Sequence, residues 1–147
     1  MLINLMADDP IPSEASDIRT AAMRLARRLR QQRSVTTMTD AQFAVLVNLH
    51  LHGPHTLTAL AERDGVSAPS MNRTVNSLED AGYVTRVSDT EDRRKVRIAI
   101  TDDGSAVVRE TIDRRDSWLA RILGRVDEDE RRTLHEAAAI ILREVHR

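Results

Sequence analysis

Between Leu57 and Thr101 the spacing of apolar residues changes from 3.6 to two, and that change narrows what the chain can fold into. Leu57, Leu60 and Ala61 fall on one helical face, with Thr56 placed to cap it. Asp64-Gly65-Val66 makes a tight turn. Ser67 can cap the next helix, and Pro69 is tolerated in its first turn, where the missing amide has no helical partner. Met71, Val75 and Leu78 line that helix's inner side, and it ends near Ala81-Gly82. Then the period is two: Val84-Thr85-Arg86-Val87 reads as a short strand. Val96-Arg97-Ile98-Ala99-Ile100 reads as a second, with Val96, Ile98 and Ile100 on one face. A polar stretch, Ser88 to Lys95, joins them as a hairpin loop. Two helices about a glycine turn, followed directly by such a hairpin, are the pattern of a helix-turn-helix with a wing.

The flanks are helical. Pro10 and Pro12 predict a loose arm without helix over residues 1–13. From Ser13 to about Arg33, Ile18, Ala22, Leu25 and Leu29 repeat at helical spacing, opposite a face rich in arginine. Thr39 and Gln42 form a capping box ahead of a helix that is apolar nearly all round, which predicts a central, buried element ending at Gly53-Pro54. Thr101-Asp102-Asp103-Gly104 opens a long helix with Val108, Ile112, Leu119, Ile122 and Val126 near heptad positions and Arg115 interrupting them. Asp127 and Glu130 cap the last helix, striped by Leu134, Ala138, Ile141 and Val145.

The fold class is therefore mainly α with a small two- or three-stranded β-wing: a winged helix-turn-helix plus a helical dimerisation domain. Residues 1–147 are expected to form a single unit. Residues 39–101 are its winged helix-turn-helix, and 13–33 and 102–147 its helical dimerisation part. The terminal helices carry apolar stripes that one small winged-helix core cannot cover, so the chain is expected to form a homodimer.

Composition excludes several classes. The only aromatic residues are Phe43, Tyr83 and Trp118, so the core must be aliphatic. With no cysteine there is no disulfide scaffold, cysteine zinc site or thiol switch. No apolar run approaches 18 residues and no signal peptide is recognisable, so a soluble cytoplasmic protein is expected. No Ser-His-Asp ordering, glycine-rich phosphate loop or metal-ligand spacing stands out, so neither an enzyme nor a cofactor is expected. His50 and His52 point to different sides of a helix and Gly53-Pro54 separates His55, so no metal site is assigned. The net charge of −1 places the burden of any nucleic-acid affinity on a few arginines.

The candidate functional residues follow from this geometry. An α-helix fits the major groove of B-DNA, and residues near its N-terminus reach base edges. With Met71, Val75 and Leu78 inward, Pro69, Ser70, Asn72, Arg73 and Asn76 face outward. Arginine can grip guanine and asparagine adenine, each through two hydrogen bonds. Ser67, Ser70 and the helix N-terminus suit phosphate. In the wing, Arg93, Arg94 and Lys95 follow one another. A thin hairpin with arginines at its tip can enter the minor groove, where the potential is most negative. Asp92 is expected to pair with a neighbouring arginine and hold its rotamer.

Three stretches resemble the MarR family of bacterial transcriptional regulators. They are Leu60-Ala61-Glu62-Arg63-Asp64-Gly65-Val66-Ser67; Ser70-Met71-Asn72-Arg73-Thr74-Val75 with Leu78 to Val84; and Asp92 to Thr101 with Gly104. The resemblance implies that Asp92 and Arg94 match the family's wing Asp-x-Arg, in which the arginine enters the minor groove and the acid orients it. It implies that Arg73 matches a common recognition-helix arginine, and that the first and last two helices form the dimerisation domain. The expected function is a sequence-specific DNA-binding regulator. It would repress by binding an inverted-repeat operator as a homodimer, and a small-molecule effector entering the cleft between the two parts would release it. The scarcity of aromatic residues argues against an aromatic-lined pocket, and no ligand-binding residues are assigned. The alternative is a winged-helix protein-interaction module that binds no DNA. Six basic and five acidic residues between Ser67 and Thr101 leave that segment a net charge of only +1.

Overall fold

The computed structural model describes residues 10–92 and 94–145. Six helices and a small sheet appear among them: α1 (Ile11–Arg30), α2 (Asp40–His52), β1 (His55–Thr56), α3 (Leu57–Asp64), α4 (Ala68–Asp80), β2 (Val84–Ser88), β3 (Val96–Ile100), α5 (Asp102–Leu123) and α6 (Glu128–Val145). The sheet is antiparallel, in the order β1-β3-β2. β3 pairs with β2 along its length, Val84 opposite Ile100 and Ser88 opposite Val96. β1 adds only His55 opposite Ile98 and Thr56 opposite Arg97, a two-residue strand too short to show a period.

The helix starts follow the side-chain chemistry. Thr39 accepts from Gln42 N at 3.1 Å, and Gln42 Oε1 accepts from Thr39 N at 2.8 Å, closing the capping box of α2. Thr56, Ser67 and Thr101 cap α3, α4 and α5 in the same way. Asp127 and Glu130 cap each other's amides at the start of α6. Gly53 ends α2 at φ 77°, and Gly65 makes the left-handed turn between α3 and α4 at φ 64°.

The prolines near the N-terminus behave otherwise than expected. Ile11 and Pro12 are already helical, with Pro10 at the N-cap and Pro12 in the first turn. A proline is disfavoured where its missing N–H breaks a helical bond, and first-turn amides have no such bond to lose. Residues 1–9 of the expected arm lie outside the described residues. α1 also stops at Arg30, short of Arg33. The chain is drawn off its helical path toward α5: Ser34 Oγ lies 3.0 Å from Thr111 Oγ1 and donates to Val107 O at 3.3 Å. Arg115 Nε, also on α5, donates to Leu29 O at 3.2 Å.

The core is aliphatic. Val45, Leu46 and Leu49 of α2 share one core with Leu60, Met71, Val75, Leu78, Ile98 and Val108, and α2 is buried chiefly by α4, α5 and β3. Each such Leu or Val stabilises the fold by about 1.5–3 kcal/mol relative to exposure. In contrast, α1 and α6 contain no buried residue. Between them and the end of α5 lies an open groove of about 730 Å³, walled by Leu25, Leu119, Ile122, Leu123, Leu134 and Ala138. None of the described helices is long and apolar enough to cross a membrane.

Candidate nucleic-acid interface

α4 is built to show one face and bury the other. Met71, Val75 and Leu78 anchor it in the core. Ser67, Pro69, Arg73 and Asn76 are exposed, and Ser70 and Asn72 half-buried, as helical spacing from the anchors requires. Ser67 Oγ accepts from Ser70 N at 3.3 Å, fixing the start of the helix. Arg73 makes no hydrogen bond or ion pair with any described residue, so its guanidinium is available to a partner.

The two asparagines are not left as free as helical spacing suggests. Both amides are engaged by Arg86, which reaches back from β2 across α4. Its Nη2 donates to Asn72 Oδ1 at 3.1 Å and to Asn76 Oδ1 at 3.0 Å, while Nη1 pairs with Glu79. Sequence spacing alone does not single out Arg86. The available signal is an acid at the end of a helix and a base seven residues on, in the next strand. Only the crossing of β2 over α4 turns that spacing into contact.

The wing is shaped by its acids. Asp89, 6% exposed, accepts from Glu91 N at 2.9 Å and from Arg97 Nε at 2.7 Å. The Glu91 amide and the Arg97 guanidinium hold its carboxyl below the ordinary carboxylate range, against the opposing effect of desolvation. Arg97 also donates to Pro54 O at 3.3 Å, tying the wing to the connection after α2. Asp89 N donates to Lys95 O and Lys95 N to Asp92 O, each at 2.9 Å, closing the loop. Asp92 Oδ1 accepts from Arg94 N at 3.1 Å and stands 3.8 Å from Arg94 Nε. Its firmer bond is thus to the backbone, an Asx-type turn. The Arg94 side chain is 97% exposed, and Lys95 is exposed beside it. Arg93 lies outside the described residues.

Among the described cations of α4 and the wing, Arg86 and Arg97 are therefore spent inside the unit, while Arg73, Arg94 and Lys95 are presented. The histidines have separate roles: His50 lies 3.4 Å from Ser105 Oγ, His52 2.9 Å from Arg63, and His55 2.7 Å from Gly53 O.

A winged helix-turn-helix of this form has known relatives. The MarR family model matches residues 38–96, which run from the start of α2 to the start of β3. Mb0904 of Mycobacterium bovis, a transcriptional regulator of the helix-turn-helix type, is 36% identical over 128 residues, covering 87% of this chain and 90% of that one. The chain belongs to the MarR family. Another relative, the transcriptional repressor MdtR of Bacillus subtilis, is 31% identical over 93 residues, 63% of this chain and 60% of its own length. The crystal structure of RV1404 from Mycobacterium tuberculosis superposes with a TM-score of 0.83 at 27% identity, covering 95% of this chain and 97% of that one. This MarR-family chain is a transcriptional regulator with the family's winged helix, and not an enzyme.

Proposed function

We propose that this MarR-family regulator binds a specific inverted-repeat operator as a homodimer and represses transcription from it. One observation carries the reading: among the described cations of α4 and the wing, Arg73 on the helix and Arg94 and Lys95 at the wing tip are presented, while Arg86 and Arg97 are paired internally. In the proposed complex Arg73 reads base edges in the major groove, while Ser67, Pro69 and Ser70 at the α4 N-terminus lie against phosphate. Asn72 and Asn76 face the same groove. Arg94, flanked by Arg93 and Lys95, enters the minor groove, and Asp92 shapes the loop that carries it. Residues 39–101 form the DNA-binding part. Residues 13–33 and 102–147 form the dimerisation part, whose apolar groove a second copy covers.

The acids of the wing support this reading over a protein-interaction module. Asp89 and Asp92 are engaged in turns and ion pairs rather than offered to a partner. The test is fluorescence anisotropy on the gene's own upstream region. Arg73→Ala and Arg94→Ala are each expected to weaken specific binding about 10- to 100-fold. Wild-type affinity should fall steeply with salt. If both variants bind like wild type, the assignment is wrong.

Release by a small-molecule effector is the remaining part of the proposal. Its support is the junction of α1, α2 and α5. There Arg115 stacks on Phe43 at 4.6 Å, and burial, then the nearby Arg33, lowers its affinity for a proton. Arg30 and Arg33 both pair with the one acid there, Asp40, and Arg115 has no acid partner among the described residues. Excess positive charge in a half-buried place favours an anionic effector. Small aromatic carboxylates titrated into the DNA complex should release it in the wild type and not in Arg115→Met.

A further inference from the structure

Arg86 does more than pair with Glu79. It approaches a single stripe of α4, since residues 72, 76 and 79 lie one above another on a helix. A guanidinium can only donate hydrogen bonds. What each amide turns toward it must therefore be the oxygen, and the two oxygens converge on one nitrogen, at 3.1 and 3.0 Å. The Glu79 carboxylate holds that guanidinium from its other end. Each asparagine is left with its Nδ2 amino group directed away from Arg86.

This bears on what the asparagines can read. The two-bond recognition of adenine requires Oδ1 to accept from N6 while Nδ2 donates to N7. An amide oxygen held by Arg86 keeps a second lone pair, but adenine N6 would have to share that oxygen with a charged guanidinium, whose positive charge opposes the approach of another donor. The same charge favours a base edge that accepts. The amino groups, without a partner among the described residues, suit such an edge: N7 and O6 of guanine, or O4 of thymine.

We infer that Arg86 is a specificity-positioning residue, which orients Asn72 and Asn76 as donors and turns the helix face away from adenine toward guanine or thymine. The inference rests on the DNA-binding reading above.

The experiment uses the full chain. Duplexes are selected from a randomised pool by wild type, Asn72→Ala, Asn76→Ala and Arg86→Met. The asparagine variants mark the base positions that their side chains read. At those positions wild type is expected to choose guanine or thymine. Where guanine is chosen, 7-deazaguanine should weaken binding about tenfold. In Arg86→Met the preference there should relax or move to adenine. Adenine at the marked positions, with weaker binding when its 6-amino group is removed, would overturn the inference. So would asparagine variants that shift no base preference, or a folded Arg86→Met with the wild-type preference. Should Arg86→Met not fold, the wild-type selection and base analogues decide alone. A wild type that selects no sequence at all sinks the DNA-binding reading itself, and is distinct from these outcomes.

Discussion

Gly104 sits in the first turn of α5, where that helix crosses the end of the wing. A Cβ built there would lie 2.2 Å from Tyr83 O and 2.8 Å from Ile100 Cγ1. Gly104→Ala is therefore expected to destabilise the fold by about 1–3 kcal/mol, read as a lower urea midpoint with unchanged slope. At Asp89 the effect depends on pH. The fold favours the charged carboxylate, so its stabilisation is complete above the ordinary value of 3.8 and is lost as pH falls from there through the lower folded value. Asp89→Asn should unfold at a lower temperature than wild type at neutral pH, and the gap should close as the pH drops below 3.8. A gap that stays constant as the solution is acidified well below that value would contradict it. At this scale the sequence is only partly legible. Arg73 and the caps can be read from helical spacing, because each depends on residues within one turn. Arg86 and Arg97 cannot, because their partners come from another element or from across the hairpin.

Among the elements, α4 gives the sharpest separation of stability from binding. Ser67→Ala removes the cap bond to Ser70 N and should lower stability by about 1 kcal/mol. Ser67→Asp restores an acceptor and adds a charge that suits the helix dipole, so it should keep or recover stability. In the proposed complex the same charge faces phosphate, so operator affinity should fall well below that of wild type. Thermal melting and anisotropy on the same samples separate the two effects, and Ser67→Asp binding at full strength would remove the phosphate from that helix end. Element types are legible because the apolar periods of α4, α5 and β3 are long enough to be distinctive, while α2, apolar nearly all round, is marked by its capping box and by the stop at Gly53. The start of α1 departs from expectation because the penalty that proline carries inside a helix does not apply in its first turn. β1 is expected only as an optional third strand, since two residues hold no period.

For the molecule as a whole, α1 and α6 are the elements without a core of their own. Leu134 and Ile141 of α6 are about half exposed, and Val145 is 76% exposed. In the proposed dimer the second copy covers this apolar surface, which flanks the groove lined by α1, α5 and α6. Leu134→Glu with Ile141→Glu should convert the chain to a monomer in sedimentation, with the winged unit still folded because neither side chain belongs to its core. Operator affinity should collapse with the loss of the second recognition helix. A variant that stays dimeric would place the interface elsewhere.

The amino-acid sequence by itself determined the order of elements, their caps, the aliphatic core and the helix-turn-helix with its wing, because these depend on periodicity and on neighbours a few residues apart. Tertiary structure decided which polar groups remain available. It closes Arg86 over Asn72, Asn76 and Glu79, and it buries Asp89 against Arg97. Those are pairings between separate elements or across the wing, so the distances that create them exist only once the sheet has folded back against α4 and the hairpin has closed.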